Sequence, residues 1–316
     1  MADYQWLRKV KLAVGDDTGS GLDLSDLHIV FRVQTATIST PKLLEVRIFN
    51  LWEGDAQTIQ QEFTQVQLSA GYQDGPFGKI FSGSISRIRI GRENATDTFL
   101  EIVACDGDEA YCWGTVQQAL AAGHTLTDEL NLIKAQLEPY QITIGYIPEL
   151  QNDKGKGIRG KVVYKSLRDF ISNFAAEITC DWHIEDGQLS FIPQAGYVPG
   201  DAVVLNGQSG ILGSPVQTID GLEARCLLNP NLRPGRLIQV NNKEVQTETI
   251  RPTPISVSDQ LYIPDLSKDG TYKVYALSHI GDTRGQAWFS ELICEAMNPT
   301  SGNVVTSSRY LEAVPQ

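Results

Sequence analysis

Two short acidic stretches hold most of the chemistry that the residue types of this chain would support. In CDGDEAYCWG, Asp106, Asp108 and Glu109 put three carboxylates within four residues, a density suited to general acid–base work or to Ca²⁺. A Ca²⁺ loop needs a longer series of oxygen ligands ending in a distant Glu, which is missing here. Glycosidase carboxylates face each other ~5–9.5 Å apart across a cleft, a separation that sequence spacing does not define. Carboxylates also stabilise helix N-termini, so a turn opening a helix from Asp108 through Val116 and Leu120 accounts for the cluster without catalysis. In CDWHIE, Asp181, His183 and Glu185 share the strand face opposite Trp182. A polar outer face explains that trio, and no Ser or Cys nucleophile with an orienting partner accompanies it.

The remaining reactive residue types give weaker signals. Cys105, Cys112, Cys180, Cys226 and Cys294 are odd in number, and the one close pair has six residues between its members, which matches no zinc spacing. All but Cys112 fall in strand-like contexts, where a thiol acts as a small core residue, so reduced cysteines are expected. GKGIRGK, within residues 151–161, lacks the terminal Gly-Lys-Ser/Thr and the flanking strand and helix of a phosphate loop, and reads as a flexible basic linker. Arg87, Arg89 and Arg92 make a small basic patch on a strand face, suited to solvent or to interface ion pairs. His28 sits on an outer strand face with no second ligand at metal spacing. No catalytic residue, cofactor-binding residue or metal ligand is expected, and no cofactor.

The elements that carry these residues are mostly strands. Leu44, Val46 and Ile48 alternate with Glu45 and Arg47, and Val66, Leu68 and Ala70 alternate with Gln65, Gln67 and Ser69. Such period-two patterns put one face in a core and one in water. Arg8–Val14 and Leu27–Val33 alternate likewise, joined by GDDTGSGLDLSD, a loop by composition. NLWEGDAQTIQQEF predicts a short helix able to plug a barrel end. Between Lys79 and Ile90 the apolar parity shifts, as a bulge or strong bend would require. Thr125–Asp128 has capping-box spacing before Leu126, Leu130, Ile133 and Leu137, a helix that Pro139 ends. Ser166–Asp169 caps a second helix with Leu167, Phe170, Ile171, Phe174 and Ile178 on its apolar face. CDWHIE and QLSFI then form a hairpin over Asp186-Gly187, the favoured type I′ pair. Further on, Gly221–Leu228 alternates, Lys243–Asp269 is a long polar excursion, and Tyr272–Ser278 pairs with Ala287–Ala296 across HIGDTRGQ. The stretch beyond Asn298 carries no helix or strand signal and reads as an arm or a disordered tail.

Composition narrows the classes. With 316 residues and 41% hydrophobic content, the chain fits two or three domains with full cores. No apolar run approaches the ~20 residues of a membrane span, so no membrane insertion is expected. MADYQWLRKVKLAV lacks the apolar core of a signal peptide. The net charge of −12, from 26 basic and 38 acidic residues, is the wrong sign for gripping nucleic acid by its phosphates; it suits solubility, or a passage that DNA slides through.

The order of IFNL, a polar helix, V-x-L-x-AGY, a Gly-rich turn, IFSGSI and a DGD after a strand resembles the first barrel of baseplate hub proteins from contractile-tailed bacteriophages and related prophages. SGILGSP, LLNPNLRPG and the later YKVYALSHIGDTRGQAW are similar to the second barrel of the same family. The resemblance covers nearly the whole chain. It implies a mainly β fold with an α+β insert: a tube-type antiparallel β-barrel at 1–107, a helical connector at 108–150, a linker with a small helix-hairpin module at 151–200, and a second tube-type barrel with a C-terminal arm at 201–316. It implies a homotrimer whose six barrels join a six-fold tail tube to a three-fold central spike. The implied partners are the tail tube or tube-initiator protein, the spike, the tape measure protein and other baseplate proteins. DNA would pass through the channel without specific binding. The implied location is the virion tail, assembled in the bacterial host cytoplasm. The inserted cell-wall hydrolase domain and the lysozyme-like Glu/Asp/Thr constellation of enzymatic hubs are absent from the sequence. The competing expectations are a tail polysaccharide hydrolase using Asp106, Asp108 and Glu109 or Glu185, and a carbohydrate-binding β module. Exposed Trp and Tyr would favour the latter, but the tryptophans fall in strand or helix patterns.

Overall fold

A computed structural model describes residues 5–16, 20–150, 157–218, 220–247 and 266–297. The chain forms two compact units, one of Val10–Ala70 with Lys79–Gly196, the other of Met1–Lys9, Gly71–Gly78 and Tyr197–Gln316. As the alternating patterns predict, the fold is mainly β with an α+β insert.

The first of these units holds a sheet built from β1 (Arg8–Gly15), β2 (Gly21–Asp23), β3 (His28–Ala36), β4 (Leu43–Phe49), β5 (Gln65–Tyr72), β6 (Phe77–Arg92) and β7 (Thr98–Cys105), with helix α1 (Glu53–Glu62) between β4 and β5. The strand order is β3-β4-β7-β6-β5-β1-β2. Leu44, Val46 and Ile48 are buried, while Glu45 and Arg47 face outward. The parity shift in β6 is a bulge: Ile85 pairs with Ala104 and Arg87 with Val103, leaving Ser86 as the extra residue. The stretch read as a loop after β1 contains β2, which pairs Ala13 with Asp23 through Gly15 with Gly21. That pairing depends on the glycines, since a Cβ on Gly15 would meet the Ser20 carbonyl at 2.5 Å.

The insert follows β7. It comprises α2 (Asp108–Trp113), β8 (Thr115–Leu120), α3 (Leu126–Leu137), a 3₁₀ turn (Glu138–Tyr140), β9 (Thr143–Ile144), β10 (Lys161–Ser166), α4 (Leu167–Glu177), β11 (Cys180–Glu185) and β12 (Gln188–Pro193). The expected helix from Asp108 to Leu120 is corrected here. It stops at Trp113, with the Gly114 N–H donating to the Ala110 carbonyl, and Thr115–Leu120 is a strand. The reason is non-local: β8 finds its partner forty residues away in β10, antiparallel, Thr115 opposite Ser166 and Leu120 opposite Lys161. Thr125 and Asp128 form the expected reciprocal cap of α3, and the Asp169 N–H donates to Ser166 Oγ at the start of α4. Pro139 does not stop the chain from coiling, because the 3₁₀ turn continues through Tyr140. The three helices and both sheets of the insert share one apolar core that includes Ala110, Val116, Ile133, Val163, Phe174 and Phe191.

The other unit orders its strands β17-β14-β15-β19-β18-β16-β13: β13 (Val203–Leu205), β14 (Val216–Thr218), β15 (Gly221–Leu227), β16 (Leu237–Val240), β17 (Gln246–Thr247), β18 (Thr271–Asp282) and β19 (Trp288–Ala296). The hairpin β18–β19 runs further than its sequence suggested. His279–Asp282 stay in the strand because the Asp282 carboxylate accepts the N–H groups of Arg284 and Gly285 and tightens the turn. Most of the polar excursion and all of the arm lie outside the described residues.

The two sheets repeat a motif. β4 reads Leu-Glu-Val-Arg and β15 Leu-Glu-Ala-Arg, while β7 begins Thr-Phe-Leu-Glu and β19 Trp-Phe-Ser-Glu. In one, Arg47 stands opposite Glu101, bonds it at 2.8 Å and lies over the Phe99 ring. In the other, Arg225 stands opposite Glu291, bonds it at 2.5 Å and lies over Phe289. Each hairpin also has a bulge on its first strand, at Ser86 and at Tyr275. The same arrangement of strand, hairpin, bulge and Arg–Glu–Phe contact is thus built twice.

Candidate functional site

Strands β4 and β7 end side by side, Leu43 opposite Cys105. The residues just past those ends, Lys42 and Asp106, are therefore adjacent, and the Asp106 N–H donates to the Lys42 carbonyl at 3.0 Å. The β11–β12 hairpin meets this corner, with Ile184 bridged to Pro41. Its turn has positive φ at both Asp186 (53°) and Gly187 (71°), as a type I′ turn requires. That geometry aims the Gly187 N–H at both oxygens of Asp106, at 3.3 and 3.2 Å. Lys42 Nζ lies 2.7 Å from Glu185 Oε1 and 4.0 Å from Asp186 Oδ1, and Lys79 Nζ lies 3.6 Å from the same Asp186 oxygen. His183 Nε2 is 3.7 Å from Glu185 Oε2.

The junction therefore sets two lysines against three carboxylates. Asp106 is only 4% exposed. Burial pushes its carboxyl up to about 6, while the Gly187 N–H and the Lys42 charge pull the other way. Chemically this is a fastening between the sheet end and the hairpin. The carboxyl with the raised pKa is turned toward a backbone N–H rather than toward an open cleft.

The two acidic stretches thus meet, but not as a catalytic pair. Of the first, only Asp106 enters the junction. Asp108 accepts hydrogen bonds from Ser84 Oγ at 2.5 Å and from the bulge residue Ser86 at 3.1 Å, and Glu109 is exposed. Of the second, Glu185 joins Lys42, and Asp181 accepts from the Gln194 side-chain amide at 3.2 Å. The polar outer face expected for His183 is corrected: its side chain is buried, and its Nδ1 has no hydrogen-bond partner among the described residues. On the same face Glu185 meets Lys42, 143 positions upstream, so no local pattern announces the contact. Lys42, Lys79 and Asp186 were missed for the same reason.

The other candidates are dispersed. His28 stacks on Phe49 at 4.6 Å, and Arg89 bonds Glu101 at 2.8 Å. All five cysteines are free, and burial pushes the thiols of Cys180 and Cys226 up to about 11 and about 12. Of the GKGIRGK stretch, residues 155–156 lie outside the described residues, and Lys161 Nζ reaches the buried Glu129 at 2.6 and 2.8 Å. Three of the five tryptophans, Trp6, Trp52 and Trp113, are exposed. They lie at the ends of elements, where a strand or helix pattern no longer fixes which way a side chain faces.

No sequence-family model and no curated protein sequence matches this chain. Among solved structures it is similar to the 43 kDa tail protein of prophage MuSo2 from Shewanella oneidensis, at 7% identity and a TM-score of 0.58, covering 92% of this chain and 98% of that one. It is similar to a tail protein from Neisseria meningitidis MC58 at 10% identity and a TM-score of 0.56, over 92% and 96% of the two chains. A third similar structure is the Escherichia coli c3393 protein, a component of the type VI secretion system described as similar to the T4 tail proteins gp27 and gp5. It has 10% identity and a TM-score of 0.53, over 91% and 76%. At such identities the likeness speaks for the fold, and the fold of this chain is the mainly β fold of phage tail proteins.

Proposed function

We propose that this chain is a structural baseplate hub, a homotrimer that joins a six-fold tail tube to a three-fold central spike in a phage-type tail. The observation that carries this reading is the internal repeat. One chain presents the Arg–Glu–Phe hairpin twice, so three chains present it six times, which matches a six-fold tube on one side and a three-fold spike on the other. The likeness in fold to prophage tail proteins supports the same role. Each repeat forms a tube-type barrel in this reading, and edge-to-edge pairing between barrels hides strand edges that would otherwise aggregate. Cyclic closure limits the assembly to a ring. The residue 151–197 module lies outside the ring, and the barrels face a channel without strong positive charge, since Lys and Arg there would hold passing DNA by its phosphates. Tube or tube-initiator, spike, tape measure and other baseplate proteins are the partners. The protein assembles in the host cytoplasm and ends in the virion. It carries out no catalysis: the carboxylates of the hydrolase alternative are divided between a buried junction, two serine hydroxyls and solvent.

Light scattering on the purified chain, alone and mixed with the tube and spike proteins encoded beside it, tests the proposal. The expected species is a trimer that binds both. A chain that stays monomeric in every mixture overturns it. So does peptidoglycan hydrolysis that is lost in a folded Asp106→Asn/Asp108→Asn variant.

A further inference from the structure

The β6–β7 and β18–β19 hairpins end in tips that are exposed and yet closely tied. In the first, the Glu93 N–H donates to the Asp97 carbonyl and closes the loop. Asn94 Oδ1 accepts the N–H groups of Thr96 and Asp97, and its Nδ2 donates to Asp97 Oδ2 at 2.6 Å. A residue from outside the hairpin fastens this tip. Asn50, just past β4 and at a positive φ of 55°, donates to Asp97 Oδ1 and accepts the Thr98 N–H. In the second tip the Asp282 N–H donates to the Ala287 carbonyl, and the Asp282 carboxylate accepts two loop N–H groups. Here the outside fastener is Arg8, whose guanidinium donates to three carbonyls of the tip. Ordering a surface loop costs conformational entropy, and a loop ordered beforehand loses less of it when a partner binds.

The charges of the tips are also alike. Their acids are engaged: Glu93 with Arg47, Asp97 with Asn50 and Asn94, and Asp282 with its own loop. Each tip exposes one arginine, Arg92 or Arg284, whose guanidinium has no partner among the described residues. Neutral hydrogen-bonding side chains stand beside it, Asn94 and Thr96 in one tip and Gln286 in the other, all exposed. Symmetry then points to the kind of partner. A surface that occurs once per chain, such as the insert or α1, appears three times in a trimer and suits a three-fold partner. A surface that occurs twice appears six times, and the hairpin is the part that the two units share.

We propose that the two hairpin tips are where this chain holds the six-fold tube, each arginine meeting a carboxylate on one tube subunit. An arginine set on an ordered loop can bind a carboxylate through two parallel N–H donors. The proposal rests on the hub reading above and names the surface and chemistry of its six-fold contact.

Binding of the purified tube protein to the trimer, measured at about 50 mM and about 200 mM salt, provides the test. Wild type is expected to bind more weakly at the higher salt. Arg92→Glu and Arg284→Glu are each expected to weaken binding at least about tenfold, and together to abolish it, with trimer mass, melting temperature and spike binding unchanged. Arg92→Gln with Arg284→Gln is expected to give a smaller loss. Asn50→Gly keeps the backbone conformation and removes the fastening, so it is expected to weaken tube binding without touching a charge. Wild-type affinity in the doubly reversed trimer overturns the tip contact while leaving the hub reading intact. Loss of spike binding or of the trimer itself in that variant, with tube binding retained by the glutamine variant, assigns the tips elsewhere and overturns the proposal too. A wild-type trimer that binds no tube protein overturns the hub reading and the proposal together.

Discussion

The two β units share a hairpin and differ in nearly everything around it. In the first, β3 is nine residues long, α1 follows β4, and the β7 strand leads into a ninety-residue insert. In the second, the strand beside β15 is three residues long, a Pro/Gly turn replaces the helix, and β13 runs parallel to β16. What persists is the Leu-Glu-x-Arg strand, the bulged hairpin and an Arg bridging a Glu and a Phe. This shared part is the piece whose geometry a repeated assembly would need twice, while the surroundings are free to serve each unit's own connections.

The ends of the hairpins give the largest test of this comparison. In the first unit Lys42 is buried against Glu185, and removing one partner of a buried pair costs about 3–5 kcal/mol. Lys42→Ala is expected to lose that much in chemical denaturation. The second unit has Lys273, 1% exposed, 3.1 Å from Glu295, which at 17% is somewhat more exposed than Glu185 at 11%, so Lys273→Ala is expected to cost less, about 3 kcal/mol. Equal losses would mean that the insert junction is nothing more than a buried ion pair.

Acidity provides the next test. Asp106 binds its proton more tightly folded than unfolded, its pKa moving from 3.8 to about 6. The folded state therefore holds more protons in that window, and stability falls as pH rises from about 4 to about 6. Asp106→Asn removes this slope, so the stability of the variant relative to wild type is expected to improve by about 2–3 kcal/mol between pH 4 and pH 7. A pH-independent difference between the two proteins would contradict the burial of Asp106 at the junction.

The repeated contact gives the smallest effect. Double-mutant cycles on Arg47/Glu101 and Arg225/Glu291 are expected to return about 0.2–1 kcal/mol each, with the larger value in the first unit. There Glu101 is 16% exposed and held by Arg47 and Arg89 together, whereas Glu291 is 33% exposed with Arg225. The Arg47 hydrogen bond holds the Glu101 carboxyl below its ordinary range, so this contribution is present above the unfolded value and fades as pH falls. A larger coupling in the second unit would reverse the ranking by burial.

Local signals in the sequence carry through to the fold. The β4 alternation, the parity shift that marks the Ser86 bulge, the Thr125 and Ser166 caps and the Asp186-Gly187 turn are each set by a few neighbouring residues. What escaped was decided at a distance. Val116 looked like the continuation of a helix because its strand partner, Lys165, lies 49 positions on. His183 reads as solvated in a strand of alternating pattern, yet it is buried on a hairpin that pairs with Pro41, some 140 positions upstream. The candidate site was half legible: Asp106 and Glu185 were singled out, but the lysines that meet them in the fold have no marker of their own.

One of the compact units is discontinuous in sequence. Residues 1–9 and 71–78 belong with 197–316, and the Arg8 guanidinium ends on the carbonyls of Asp282, Gly285 and Gln286. On the ribosome, residues 71–78 wait about 120 residues for the rest of their unit to begin, roughly 6–24 s at translation rates of 5–20 residues per second, and residues 1–9 wait about 190. During that time Tyr72 and Phe77 have no completed core beside them, and Arg8 has no turn to clasp. Synthesis order therefore leaves this unit incomplete until its last hairpin, and synonymous-codon changes upstream of residue 197 are expected to alter yield without altering the folded protein.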